Sequence, residues 1–171
     1  EVPADGSSPP PIGYTRLGVA AAAPLLTAAD AGCGPALLLS SGEGTTLVFH
    51  EISRTGTTIS YRASGNHLTL VGTDAPTGPT WTLTSTDGEI RSFDADGRLV
   101  RWVDTNDVGL TLVWDGVGDA ARVLSVTDSV GRVIAFQYDA SRRLTRIREG
   151  SSLLEATYTY GASGALDTVR D

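Results

Sequence analysis

The side chains able to do chemistry are few and scattered. His50 and His67 are the only histidines, and each falls in or beside a predicted strand. Zinc needs His or Cys ligands grouped at short spacing, and two isolated imidazoles do not provide that. His50 shares a strand face with Val48 and Ile52, so it reads as a hydrogen-bonded wall residue and not as a ligand. Asp104, Asn106, Asp107 and Asp119 carry the hard oxygen donors that calcium takes. The string Asp104-Thr105-Asn106-Asp107-Val108-Gly109 lacks the spacing and terminal Glu of an EF-hand, and turn formation explains it better. Ser40-Ser41-Gly42 does not make a nucleophile elbow. The acids are numerous enough for a glycosidase pair, yet they recur at turns, where they punctuate hairpins. Cys33 is the sole cysteine, which excludes an internal disulfide and a multi-cysteine metal site. It reads as a small apolar filler between Gly32 and Gly34, with pairing between chains or lipid attachment as the alternative. No catalytic residue, cofactor-binding residue or metal ligand is assigned, and the chain is expected not to be an enzyme.

The bulk composition narrows the class. The 171 residues are 40% hydrophobic and 19% charged, the range of a globular domain with a real core. Thirteen basic against twenty acidic residues give a net charge of −7, the wrong sign for neutralising phosphates, so nucleic acid is discounted as a partner. Every basic residue is Arg and there is no Met. The bias suggests a GC-rich bacterial genome, and Glu1 is expected to be an internal or processed terminus of something longer. No run approaches the roughly 18 apolar residues of a membrane span. The stretch from Val19 to Leu26 is broken by Pro24 and lacks the flank of a signal peptide.

The elements that must position these residues are strands. Residues 1–13 are rich in Pro, Gly and Ser and read as a linker. In residues 14–40, Gly18, Pro24, Gly32, Gly34 and Pro35 leave no room for a good helix, and extended and loop structure is expected. From Thr45 onward, runs of Val, Ile, Thr, Leu and aromatics alternate with Gly, Asp, Asn and Ser clusters, the pattern of strands and hairpins. Twelve strands are predicted: Thr46–Ile52, Thr58–Arg62, His67–Val71, Trp81–Thr86, Glu89–Asp94, Arg98–Asp104, Leu110–Asp115, Arg122–Thr127, Arg132–Asp139, Arg143–Arg148, Ala156–Tyr160 and Ala165–Arg170. Asp87-Gly88 and Asp96-Gly97 supply the positive φ of tight turns. The expected fold is all-β, a repetitive antiparallel sheet of hairpins. Residues 1–44 are expected to form a Pro/Gly/Ala-rich leading or linker segment, 45–79 a β-rich lead-in or divergent repeats, and 80–171 the repeats.

Two interleaved patterns define those repeats. Strings of apolar, two variable, apolar, spacer and acid begin at Arg98, Arg122, Arg143 and Ala165, with steps of 24, 21 and 22 residues. Between them, Phe93-Asp94, Trp114-Asp115, Tyr138-Asp139 and Tyr160-Gly161 place an aromatic before a turn residue. In each unit the aromatic ends a strand, the Asp opens the turn, and the chain returns through Leu-x-x-Ile. The apolar pairs Leu144/Ile147 and Leu166/Val169 are three apart, not two, which predicts a bulge or a late strand start. Each hairpin alone is marginal, and stacking extends the sheet by about 10 Å per unit. The structural repeat positions are Phe93, Asp94, Gly97, Arg98, Leu99, Trp114, Asp115, Tyr138, Asp139, Arg143, Leu144, Ile147, Tyr160, Leu166 and Val169. Arg98, Arg122, Arg132 and Arg143 are expected to bridge to neighbouring turn acids.

The strings Phe93-Asp94-Ala95-Asp96-Gly97-Arg98-Leu99 and Tyr138-Asp139-Ala140-Ser141-Arg142-Arg143-Leu144 resemble the repeat of the RHS, or YD-repeat, family. The first departs at its aromatic, the second has Arg142 where Gly is usual, and Tyr160-Gly161 loses the Asp. The resemblance covers about residues 80–171. It implies a spiralling β-sheet that forms part of a hollow cocoon, as in exported bacterial polymorphic toxins whose shell encloses a toxic cargo, and in the teneurins of cell adhesion. It therefore implies a structural, extracellular or cell-surface segment of a shell or filament, contacting adjacent repeats or copies of itself through sheet edges. The alternative is a carbohydrate- or protein-binding module presenting Trp81, Trp102, Trp114, Tyr138, Tyr158 and Tyr160.

Overall fold

The computed structural model describes residues 16–20, 36–40, 46–77, 80–116, 120–150 and 154–171. The leading segment 1–13, Cys33 and Asp119 lie outside the described residues. Every regular element among those described is a β-strand, and no helix long and apolar enough to cross a membrane is present among them. The strand order follows the chain order from β1 to β14, each neighbour antiparallel where the register is given. Contacts divide the chain into two compact units, residues 1–99 and 100–171.

The first unit contains β1 (Arg16–Ala20), β2 (Ala36–Ser40), β3 (Thr46–Thr55), β4 (Thr58–Ala63), β5 (Thr69–Thr73), β6 (Thr80–Thr84) and β7 (Ile90–Phe93). Alternation, interrupted only at Ile52 in β3 among the registers given, sorts it into an apolar and a Thr-rich face. The apolar rows run Leu37–Phe49–Ala63, Tyr61–Leu70–Leu83 and Ile59–Gly72–Trp81–Phe93 across paired strands. All of these side chains are buried, Phe49, Leu70 and Phe93 almost completely. Gly72 belongs in this row because a Cβ there would sit 3.0 Å from Trp81 and 3.1 Å from Tyr61. The two rings close over the space a side chain would take.

The second unit contains β8 (Leu99–Val103), which starts at the division, β9 (Gly109–Asp115), β10 (Arg122–Asp128), β11 (Val133–Tyr138), β12 (Leu144–Glu149), β13 (Glu155–Tyr160) and β14 (Leu166–Arg170). The expected bulges are present. The β9–β10 register skips Leu124, the β11–β12 register skips Thr145, and the β13–β14 register skips Asp167. One extra residue turns a spacing of three into a spacing of two pleats. Val123 and Val126, Leu144 and Ile147, and Leu166 and Val169 therefore point the same way within each pair.

The face so assembled is apolar throughout its centre. Its rows are Leu112–Val126–Ile134, which ends on Glu149, then Phe136–Ile147–Ala156, Tyr138–Leu144, Tyr158–Val169 and Tyr160–Leu166. The opposite face is mostly polar, with Thr111, Ser125, Thr127, Gln137, Arg146, Arg148, Glu155, Thr157, Thr159 and Arg170, but it also carries Val113 and Ala135. Unlike the first unit's core, this apolar face is only half-buried: Ile134 is 41%, Val169 51% and Leu166 55% exposed.

Candidate functional site: the repeat hairpin and its clamps

Six hairpin turns are built the same way. The residue opening each turn donates its N–H to the carbonyl four residues on, and its own carbonyl accepts from the N–H three residues on. This holds for turns opened by Ser85, Asp94, Asp104, Asp128, Asp139 and Gly161, with bonds of 2.9–3.1 Å. The fourth residue of each turn has positive φ: Gly88, Gly97, Asp107, Gly131, Arg142 and Gly164. This is the three-residue loop whose left-handed last residue matches the strand twist. Glycine adopts that φ freely, while Asp107 and Arg142 hold it at 65°, at some cost in backbone energy.

The opening Asp locks the turn with its side chain. Asp94 Oδ1 accepts from the amides of Asp96 (3.0 Å) and Arg98 (2.9 Å), and its Oδ2 accepts from Arg98 Nε at 2.9 Å. Asp128 repeats the set with Val130 and Arg132, and Asp139 with Arg143. Asp104 accepts from the amides of Asn106 and Val108 without a guanidinium. At Ser85 the hydroxyl takes the carboxylate's place, accepting from Glu89 N at 3.0 Å. These donors set the charge state. The amides of Val108 and Asn106 lower the Asp104 carboxyl, and the amide and guanidinium of Arg143 lower that of Asp139. For Asp128, partial burial pushes upward, but the amide and guanidinium of Arg132 and the Val130 amide together outweigh it.

Arg98, Arg132 and Arg143 thus bridge to turn acids as expected. Arg122 differs: its amide donates to Asp115, and its guanidinium donates to the carbonyls of Ala120 and Ala121. The Asp128–Arg132 clamp lies at the opposite strand ends from the turn at Asp139. Sequence reasoning missed that equivalence, although Asp128-Ser129-Val130-Gly131-Arg132 spells the same Asp-x-x-Gly-Arg as residues 94–98. Asp104 and Asp107 are turn residues, Asp107 being paired with Arg101, and no group of three metal-ligating side chains occurs among the described residues.

The second device joins successive hairpins. Tyr138 Oη donates to the carbonyl of Val123 at 2.9 Å, and Tyr160 Oη donates to that of Leu144 at 2.7 Å. Val123 and Leu144 are the residues immediately before the bulges at Leu124 and Thr145. Each phenol therefore satisfies a carbonyl where the preceding hairpin's ladder shifts. Burial pushes the Tyr138 hydroxyl's pKa upward, which keeps it a donor. The Arg143 guanidinium also stacks 4.5 Å over the Tyr160 ring, so Arg143 holds its own turn and grips the next hairpin's aromatic.

The remaining repeat positions lie around these devices. Phe93 and Leu99 are buried, Gly97 provides the positive φ, and Ile147 lies in the Phe136 row. Trp114 pairs with Val123, and Leu166 and Val169 face Tyr160 and Tyr158. His50 sits in the wall opposite Arg62, and its Nδ1 is buried with no hydrogen-bond partner among the described residues. Ile52 is the residue skipped in the β3–β4 register and is largely exposed, so the regular alternation linking it to Val48 and His50 is interrupted there.

These parts describe a unit that builds sheet. Comparison with curated proteins finds no match. The RHS repeat family model matches residues 122–152, the stretch holding β10, β11, β12, the Asp128 and Asp139 clamps and the Tyr138 bond. Residues 122–152 are thus similar to the RHS repeat, and this likeness supports an RHS/YD-repeat family for the chain.

Proposed function

We propose that the chain is a non-catalytic wall segment of an extracellular or cell-surface RHS-type shell or filament, of the kind that encloses a toxin cargo. One observation carries this reading: the second unit has a mostly polar face and a continuous apolar face that stays half-exposed. A self-sufficient domain buries such a stripe. A wall covers it with what it encloses or with more of itself. Further repeats, or copies of the chain, add at sheet edges, where unpaired N–H and C=O groups template another strand. Light scattering at rising concentration, followed by electron microscopy of the parent protein, tests the proposal. Self-association of the chain and a hollow particle from the parent are expected. A stable monomer together with a solid, two-layered particle would contradict it.

A second reading, a binding module in adhesion, draws on the same face. Trp102 is 37% exposed there and pairs with Leu110, and half-exposed indoles stack on sugars. Tryptophan fluorescence that responds to glycans favours this reading over the wall.

A further inference from the structure

We propose that the turn between β4 and β5 is a binding site for a small hydroxylated carboxylate, an acidic sugar by its chemistry. A cavity of about 490 Å³ opens there, lined among the described residues by Arg62, Ser64, Asn66, His67, Leu68 and Thr69, with Ala63 and Gly65. That volume lies within the usual range for small-molecule sites, roughly 300–1,000 Å³, and holds far more than a bare ion.

The lining is rich in donors. In a chain with 20 acids to 13 arginines, no acid is among the described lining residues. The other arginines described in β3 to β7 and the turn that follows are paired: Arg54 with Glu51, Arg91 with Glu89, and Arg98 with Asp94. Arg62 is exposed and has no acidic partner among the described residues. A guanidinium presents two parallel N–H donors that match a carboxylate. The Asn66 carbonyl oxygen is already used, accepting from Leu68 N–H at 3.0 Å, which leaves its amide NH₂ to donate. Ser64 and Thr69 add hydroxyls that both donate and accept, as ring hydroxyls require, and Leu68 offers apolar surface to ring C–H groups.

Two further observations point the same way. Gly65 holds φ +70°, and a Cβ there would meet nothing within 4 Å, so the turn leaves the mouth clear. One strand over, His50 is paired in register with Arg62 and has a buried Nδ1 without a hydrogen-bond partner. Buried polar atoms are ordinarily satisfied, and this one belongs to the residue paired with Arg62.

The test is titration of the whole chain with glucuronate, glucose and inorganic phosphate, followed by NMR and calorimetry, on the wild type, Arg62→Gln and Arg170→Gln. Arg170 is an exposed arginine on β14 and controls for loss of one charge. Saturable glucuronate binding at about millimolar affinity is expected, with shifts at Asn66, His67 and Leu68. Glucose and phosphate should bind at least about tenfold more weakly. Arg62→Gln should weaken glucuronate about tenfold or more with an unchanged melting temperature, since no acidic partner among the described residues is lost, and Arg170→Gln should leave it within about twofold. No saturable binding, glucuronate binding indifferent to Arg62→Gln, or phosphate binding as tightly as glucuronate would each overturn the proposal.

Discussion

Replacing Tyr138 and Tyr160 by Phe, with Tyr158→Phe as control, isolates what holds one hairpin to the next. All three rings lie on the apolar face, but only Tyr138 and Tyr160 donate to a carbonyl at a bulge, at 2.9 and 2.7 Å. Removing a neutral hydroxyl leaves ring packing intact and deletes one net hydrogen bond, about 1 kcal/mol. Water reaches these half-buried carbonyls and limits the penalty for stranding them. The expected cost is therefore about 1 kcal/mol for each of Tyr138→Phe and Tyr160→Phe, and within about 0.5 kcal/mol of zero for Tyr158→Phe. With a urea m-value of about 1–2 kcal/mol/M, each costly change lowers the midpoint by roughly 0.5–1 M. The two sites share Leu144, which pairs with Tyr138 and accepts from Tyr160, so the double variant reports their coupling. The assay is urea unfolding followed by circular dichroism. Equal midpoints for all three variants would refute the claim that phenol-to-bulge bonds join the hairpins.

Arg142→Gly should stabilise the chain by about 0.5–1 kcal/mol, because relief of the left-handed backbone cost exceeds glycine's added unfolded-state entropy; a lower melting temperature would contradict this. Gly109→Ala should destabilise by about 3 kcal/mol or more, since a Cβ there would lie 2.0 Å from the Trp102 carbonyl oxygen; denaturant unfolding checks it, and a neutral result would mean the β8–β9 approach is wrong. Asp104, Asp128 and Asp139 have lowered pKa values in the folded chain, so their stabilisation is fully present above the ordinary carboxyl pKa near 3.9 and is lost as pH falls through the lower folded values. The melting temperature should hold steady from about pH 7 to 5 and drop below about pH 4, and Asp128→Asn with Asp139→Asn should flatten that drop; a melting temperature that rises on acidification would count against the clamps.

Much of this fold is written locally. Alternation and turn residues place the strands from Thr46 onward, with ends shifted by a few residues, as where His67–Val71 becomes Thr69–Thr73. The three-residue spacing of Leu144 and Ile147 announces a bulge, because only an inserted residue brings both to one face. β1 and β2 are less legible. Gly18 interrupts Arg16–Ala20, and the short apolar run Ala36–Ser40 has no period that tells strand from helix. The Asp128 clamp was readable by matching its string to residues 94–98. The Tyr138 and Tyr160 bonds were not, since they depend on the register of strands 15 and 16 residues apart. That Arg62 has no acidic partner among the described residues was equally hidden, because it depends on which acids the fold brings near.

Inter-strand backbone NOEs across the second unit measure the pairing directly. Hairpins added in chain order predict contacts of Ile147 with Phe136 and Ala156, of Tyr158 with Val169, and of Tyr138 with Leu144 across a skipped Thr145. Contacts that join non-consecutive strands, or a continuous register through Thr145, would contradict the account.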